Sequence, residues 1–164
     1  MNNKTWFVVA HRGGAKIFEM RGENRNLEKV REFTNDLAFE DSRQLRNDAM
    51  GRVFSPDSSY RHSVESSESI NEQILRQFAQ RLSHELYQAR NRDQVSRLVL
   101  IAAPALLGQL RTELDRVTQS VVIQSIDRDW ASLNNQDIKQ RLSDLTAQVR
   151  DQLRFGEKTV GQKG

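Results

Sequence analysis

Two uninterrupted apolar runs, Trp6-Phe7-Val8-Val9-Ala10 and Leu98-Val99-Leu100-Ile101-Ala102, set the strongest limit on what this chain can fold into. A strand with one wet face alternates polar and apolar residues. Runs rich in β-branched and aromatic types, with no polar break, read instead as strands covered on both faces. Such strands need helices packed on the sheet, and the rest of the chain supplies them. After Ser69-x-x-Glu72, which fits a capping box, Ile74, Phe78, Leu82 and Leu86 recur at four-residue steps, widened by Leu75 and Ala79. This predicts a helix ending near Asn91. Pro104 suits the first turn of a second helix carrying Leu106, Leu107, Leu110, Leu114 and Val117. Asn134 can cap a third that bears Ile138, Leu142, Leu145, Val149 and Leu153.

Further strands are expected at Ala15–Met20, after the turn signal Arg12-Gly13-Gly14, at Leu27–Phe33, and at Ser120–Ile126. The order β-β-β-α-β-α-β-α describes an antiparallel meander followed by right-handed parallel crossovers. The fold class is therefore α/β, a single three-layer domain on a mixed five-stranded sheet. Its expected extent is residues 1–155. Residues 35–69 are expected to form a long irregular loop, with Asp36 to Leu45 as a short helix inside it. Residues 156–164 are expected to be a polar tail.

Several function classes are excluded or weakened by composition. The chain has no cysteine, which removes disulfide scaffolds, thiolate metal sites and cysteine nucleophiles. The run Trp6 to Ala10 is too short for a secretory signal, and no segment approaches the roughly 20 apolar residues that cross a bilayer. A cytoplasmic location and no membrane partner are the expectations. The net charge of +3 permits contact with nucleic acid without arguing for it.

WFVVAHRGGAKIFEM near the start, GRVF at 51–54, Arg61-His62, RQFAQRLSHEL and RLVLIAAPALLGQLR at 97–111 resemble the bacterial host attachment protein family, over roughly Trp6 to Leu153. The element order is also similar to the RNase H-like central domain of archaeal and eukaryotic peptide-chain release factors. In those factors a loop before the long first helix carries a Gly-Gly-Gln tip. The corresponding stretch here, GRVFSPDSSYRHSVESSES at 51–69, lacks it, and Gly13-Gly14 precedes Ala15 between the first two strands. The resemblance thus implies an RNA or ribosome partner without peptide-release activity.

Residue chemistry does not point to catalysis. Nucleases of RNase H type hold metal ions with clustered carboxylates. The first strand ends here in His11, and Glu19, Asp127 and Asp129 rebuild no evident cluster. Serine, histidine and aspartate occur together in 55–69 without a Gly-x-Ser-x-Gly elbow, so a hydrolase is the poorest alternative. The three histidines are scattered, and His84 is expected at solvent. No catalytic residue, metal or cofactor is assigned. The residues expected to bind are Arg52, Phe54, Tyr60, Arg61 and His62 in the loop, joined by Arg12 and Lys16: guanidinium groups for phosphates, aromatic faces for unpaired bases. The alternative is an attachment factor meeting a protein partner through the same loop or an exposed helix face.

Overall fold

In a computed structural model, the protein is described over residues 4–21, 25–50 and 69–161, with side chains up to residue 45 in the first helix and residue 148 in the last. The strands are β1 (Thr5–His11), β2 (Gly14–Arg21), β3 (Asn26–Thr34), β4 (Arg97–Ala102) and β5 (Val122–Asp127). The helices are α1 (Asp36–Met50), α2 (Ile70–Asn91), α3 (Pro104–Glu113), α4 (Arg116–Ser120) and α5 (Asn135–Gly161). The sheet order is β3-β2-β1-β4-β5. Strands β1, β2 and β3 pair antiparallel, whereas β4 pairs parallel to both β1 and β5. This is the mixed five-stranded α/β sheet that the sequence predicts. No helix among the described residues is long and apolar enough to cross a membrane.

The chain divides into two compact units, residues 1–131 and 132–164. In the first, one face of β1, β2 and β4 presents Trp6, Val8, Ala10, Ala15, Ile17, Leu98 and Leu100 to the core. The same cluster holds Phe78, Leu82 and Leu86 from α2 and Leu106, Leu107 and Leu110 from α3. The alternate residues Phe7, Val9, Phe18, Val99 and Ile101 are buried as well. Two-sided burial is thus what makes these runs unbroken. In the second unit the Asn134 side chain accepts from the Asp137 amide at 2.8 Å, as a cap should, and Ile138 and Leu142 are buried.

Four expectations differ from the structure. Residues 36–50 form one helix, longer than the short Asp36–Leu45 piece expected within an irregular 35–69 loop. The expected polar tail at 156–164 is helical as far as Gly161. The helix opened by Pro104 stops at Glu113, because Leu114 turns extended and Asp115 caps a new turn through Thr118. Val117 accordingly lies exposed on α4 and does not extend the leucine stripe, and β5 begins at Val122, after that turn.

Candidate functional site

Arg12 stands at the tight connection between β1 and β2, and its guanidinium joins two helices distant in sequence. Its Nε donates to Asn71 Oδ1 at 2.7 Å, in the first turn of α2, and its Nη2 donates to Asp41 Oδ2 at 2.7 Å, in α1. A planar fork with several fixed donors can hold two acceptors at once, which an ammonium does poorly. The turn is fixed from behind by buried Asn35. Its side chain donates to Arg12 O at 2.9 Å, its own amide donates to Gly13 O at 2.9 Å, and its carbonyl accepts the Ala38 amide to open α1. A Cβ on Gly14 would lie 2.2 Å from Phe33 O, so only glycine lets β2 approach β3 this closely.

The helices joined by Arg12 line a groove. One lobe, of ≈ 260 Å³, lies between residues 35–37 and 77–81. The other, of ≈ 210 Å³, lies between residues 37–44 and 70–77. Ascending numbers on α1 against descending numbers on α2 show that the two run antiparallel. Gln44 is the last α1 residue to line the groove, and α1 continues six residues beyond it to Met50. Ser69 Oγ accepts the Glu72 amide at 3.1 Å, which fixes where α2 begins.

Arg12 and Lys16, expected to act together, are not brought together. Ala15 and Ile17 face the core beneath α2, so the intervening Lys16 points to the other side of the sheet. On that side its charge is felt by His11, as is that of Asp129. Burial is the main influence holding His11 below its ordinary pKa; Asp129 works against it and Lys16 with it. The Gly13 amide donates to His11 Nδ1 at 3.0 Å, so the neutral ring keeps its proton on Nε2. Glu19 is far from this group. It pairs with Trp6 near the start of β1, while Asp127 pairs with Ala102 at the end of β4. The Glu19 carboxylate accepts from Trp6 Nε1 at 2.8 Å and from Arg21 Nε. Burial pushes its pKa up, but these hydrogen bonds and the charges of Arg21 and Lys4 outweigh it and hold the carboxyl below its usual value. Among the described residues no three histidine, aspartate or glutamate side chains gather as metal ligands.

Arg52, Phe54, Tyr60, Arg61 and His62 lie outside the described residues. His84 is exposed, as expected, and meets Gln88 at 3.1 Å. Sequence reasoning missed Asn35, Asp41 and Asn71. An Asn or Asp among many polar residues carries no local signal when its partner is 23, 29 or 59 positions away.

A mixed sheet whose Arg12 turn ties two groove-lining helices defines a sheet-supported helix-pair module. The family described as "Protein required for attachment to host cells" matches residues 6–142, and the chain belongs to it. No curated protein matches the chain. Among solved structures, the chain is similar to "Crystal structure of archaeal translation termination factor, aRF1", at 13% identity and a TM-score of 0.43, covering 96% of this chain and 42% of that one. A second, titled "Archaeal protein", shares 13% identity at a TM-score of 0.43, covering 96% of this chain and 41% of its own. The chain thus spans less than half the length of these structures.

Proposed function

We propose that this chain is a non-catalytic binding module whose partner is a protein, with a cytoplasmic location as part of the same proposal. The observation that carries the choice of partner is the pairing of four of the seven lysines and arginines of residues 4–31 with the protein's own carboxylates. Arg12 meets Asp41 at 2.7 Å, Arg21 meets Glu19, Lys29 meets Glu32 at 2.6 Å, and Arg31 meets Glu85 at 3.6 Å. A phosphate-binding face needs such cations gathered and available. They are instead distributed over strands and helices, each beside an anion.

The stretch that includes α1 and the expected binding loop adds to this. Over residues 36–72, Asp36, Glu40, Asp41, Asp48, Asp57, Glu65, Glu68 and Glu72 outnumber Arg43, Arg46, Arg52 and Arg61. Such a stretch repels a polyanion more than it attracts one. Arg52, Phe54, Tyr60, Arg61 and His62 fit a protein surface equally well, since tyrosine and arginine are the residues that anchor protein contacts.

The release-factor layout keeps RNA and the ribosome as the competing reading, and one experiment separates the two. Purified full-length chain is sedimented with ribosomes at low and moderate salt, and in parallel its bound material is recovered from lysate with and without nuclease. The expected result is no ribosome-dependent pelleting and a protein partner that survives nuclease. Pelleting at low salt that weakens with salt and is lost in Arg52→Ala/Arg61→Ala would replace this proposal with the RNA reading.

A further inference from the structure

The groove between α1 and α2 has two unlike walls. On the α1 side Asp36 and Glu40 sit one helical turn apart, and neither has an ion pair among the described residues. On the α2 side Gln73 and Gln77 have the same spacing. Apolar side chains remain open at the same place: Leu37 is 41% exposed and Ile70 59% exposed. The cations nearby are engaged. Arg12 bonds Asp41 and Asn71, while Arg81 donates to Thr34 O at 3.1 Å and lies over the Phe33 ring.

Each wall has a matching chemistry. Two carboxylates one turn apart are about 6 Å from each other along the helix, and alternate side chains of an extended strand are about 6.6 Å apart. Lysine or arginine at alternate positions would therefore meet both acids from one side of a strand. A glutamine amide carries a carbonyl acceptor and NH₂ donors, so Gln73 and Gln77 can accept from the N–H and donate to the C=O of an extended backbone whatever its side chains. Residues 36–44 of α1 span about 12 Å, close to the length of four extended residues.

We propose that this groove takes an extended segment of a partner protein, with basic side chains at alternate positions paired to Asp36 and Glu40, and apolar side chains set on Leu37 and Ile70. Arg12 is its positioning residue, since it sets the separation of the two helices. The inference rests on the protein-partner reading above and narrows it to one surface and one sequence class.

The test uses the full chain and fluorescently labelled eight-residue peptides with lysine and valine alternating. Counterparts carry glutamate for lysine, or the same residues with the lysines adjacent. The alternating basic peptide is expected to bind best, and about tenfold more weakly to Asp36→Asn/Glu40→Gln, because charge-assisted contacts are removed without changing shape. Gln73→Ala/Gln77→Ala should weaken it severalfold, and Glu113→Gln on α3 should leave it unchanged. Because the chain has no cysteine, Gln44→Cys gives a unique thiol, and an alternating peptide whose cysteine is activated as a thiopyridyl disulfide should exchange with it, releasing the thiopyridone, faster than a scrambled one. Equal binding by wild type and the groove variants, no preference among peptides, no binding by any of them, or displacement by an RNA oligonucleotide would each overturn the assignment. Partner recovery from lysate separates the two levels. A nuclease-resistant partner retained by Asp36→Asn/Glu40→Gln defeats the groove alone, while a partner lost on nuclease treatment defeats the protein reading itself.

Discussion

Replacing Arg12 with alanine should release helix α1 while leaving the sheet intact. Between residues 36 and 45, Ala38 is the only buried apolar side chain of α1, and an alanine methyl contributes about 0.8 kcal/mol. A helix of 15 residues is marginal in water by itself. Its main ties to the body are therefore Arg12 to Asp41 and the Asn35 connection at its start. The Arg12–Asp41 pair is partly exposed, with side chains 36% and 18% accessible, so its value is well below that of a buried pair. Together with the Asn71 bond it is worth about 1–2 kcal/mol. Since about 1.4 kcal/mol is a factor of ten in an opening equilibrium, amides of residues 39–50 should exchange with deuterium about tenfold faster in Arg12→Ala. Amides of β1, β4 and the centre of α2 should lose no more than this factor, and only where they exchange through global unfolding, while the urea midpoint should fall by about 0.5–1 M, the same free energy divided by the denaturant slope. Arg12→Lys should fall between the two, because one ammonium cannot hold Asp41 and Asn71 in the fork geometry. Unchanged exchange in α1 would refute the reasoning, and so would a rise in β1 and β4 larger than the one in α1, which would make Arg12 a tie of the sheet rather than of the helix.

Two other substitutions probe the same scaffold away from the groove. Gly108→Ala should stabilise the protein by about 0.5–1 kcal/mol, because it lies within α3 and an added Cβ meets nothing within 4 Å; a lower melting temperature would show that this space is used. Glu19 gives a pH signature: its folded pKa lies below its unfolded one, so its contribution is complete above the unfolded value of about 4.3 and is lost as pH falls through the folded value. Glu19→Gln should flatten the acid limb of stability against pH, and a limb as steep as in wild type would assign acid sensitivity to other groups.

The parts of the fold legible in the sequence are those where burial imposes a period. Trp6 to Ala10 and Leu98 to Ala102 are covered on both faces, and α2 buries Phe78, Leu82 and Leu86 against them, so their patterns are unambiguous. Up to residue 45, helix α1 buries only Ala38 among its apolar side chains, too little to show a stripe. The break at Asp115 was hidden because Leu114 and Val117 continue the leucine spacing although only Leu114 is buried. The site followed the same rule in reverse. Arg12 was recognisable as a polar residue at a turn, but what it does depends on acceptors that only the folded chain brings to it. Lys16 was expected to bind beside it, whereas strand alternation between core-facing Ala15 and Ile17 turns Lys16 away from the side on which Arg12 meets α2.

The outer margin of β3 has a consequence for how this protein meets copies of itself. β3 is an end strand of the sheet, and its register with β2 shifts between Ile17 and Phe18. If two such margins lined up antiparallel about Val30, Glu28 would stand opposite Glu32 and Lys29 opposite Arg31. Like charges directly across a strand pair are destabilising, and they would repeat along the seam. That register is thus disfavoured, whereas a shift of one residue sets Lys29 opposite Glu32, so charge along this margin selects the register in which two copies could pair rather than backbone complementarity alone.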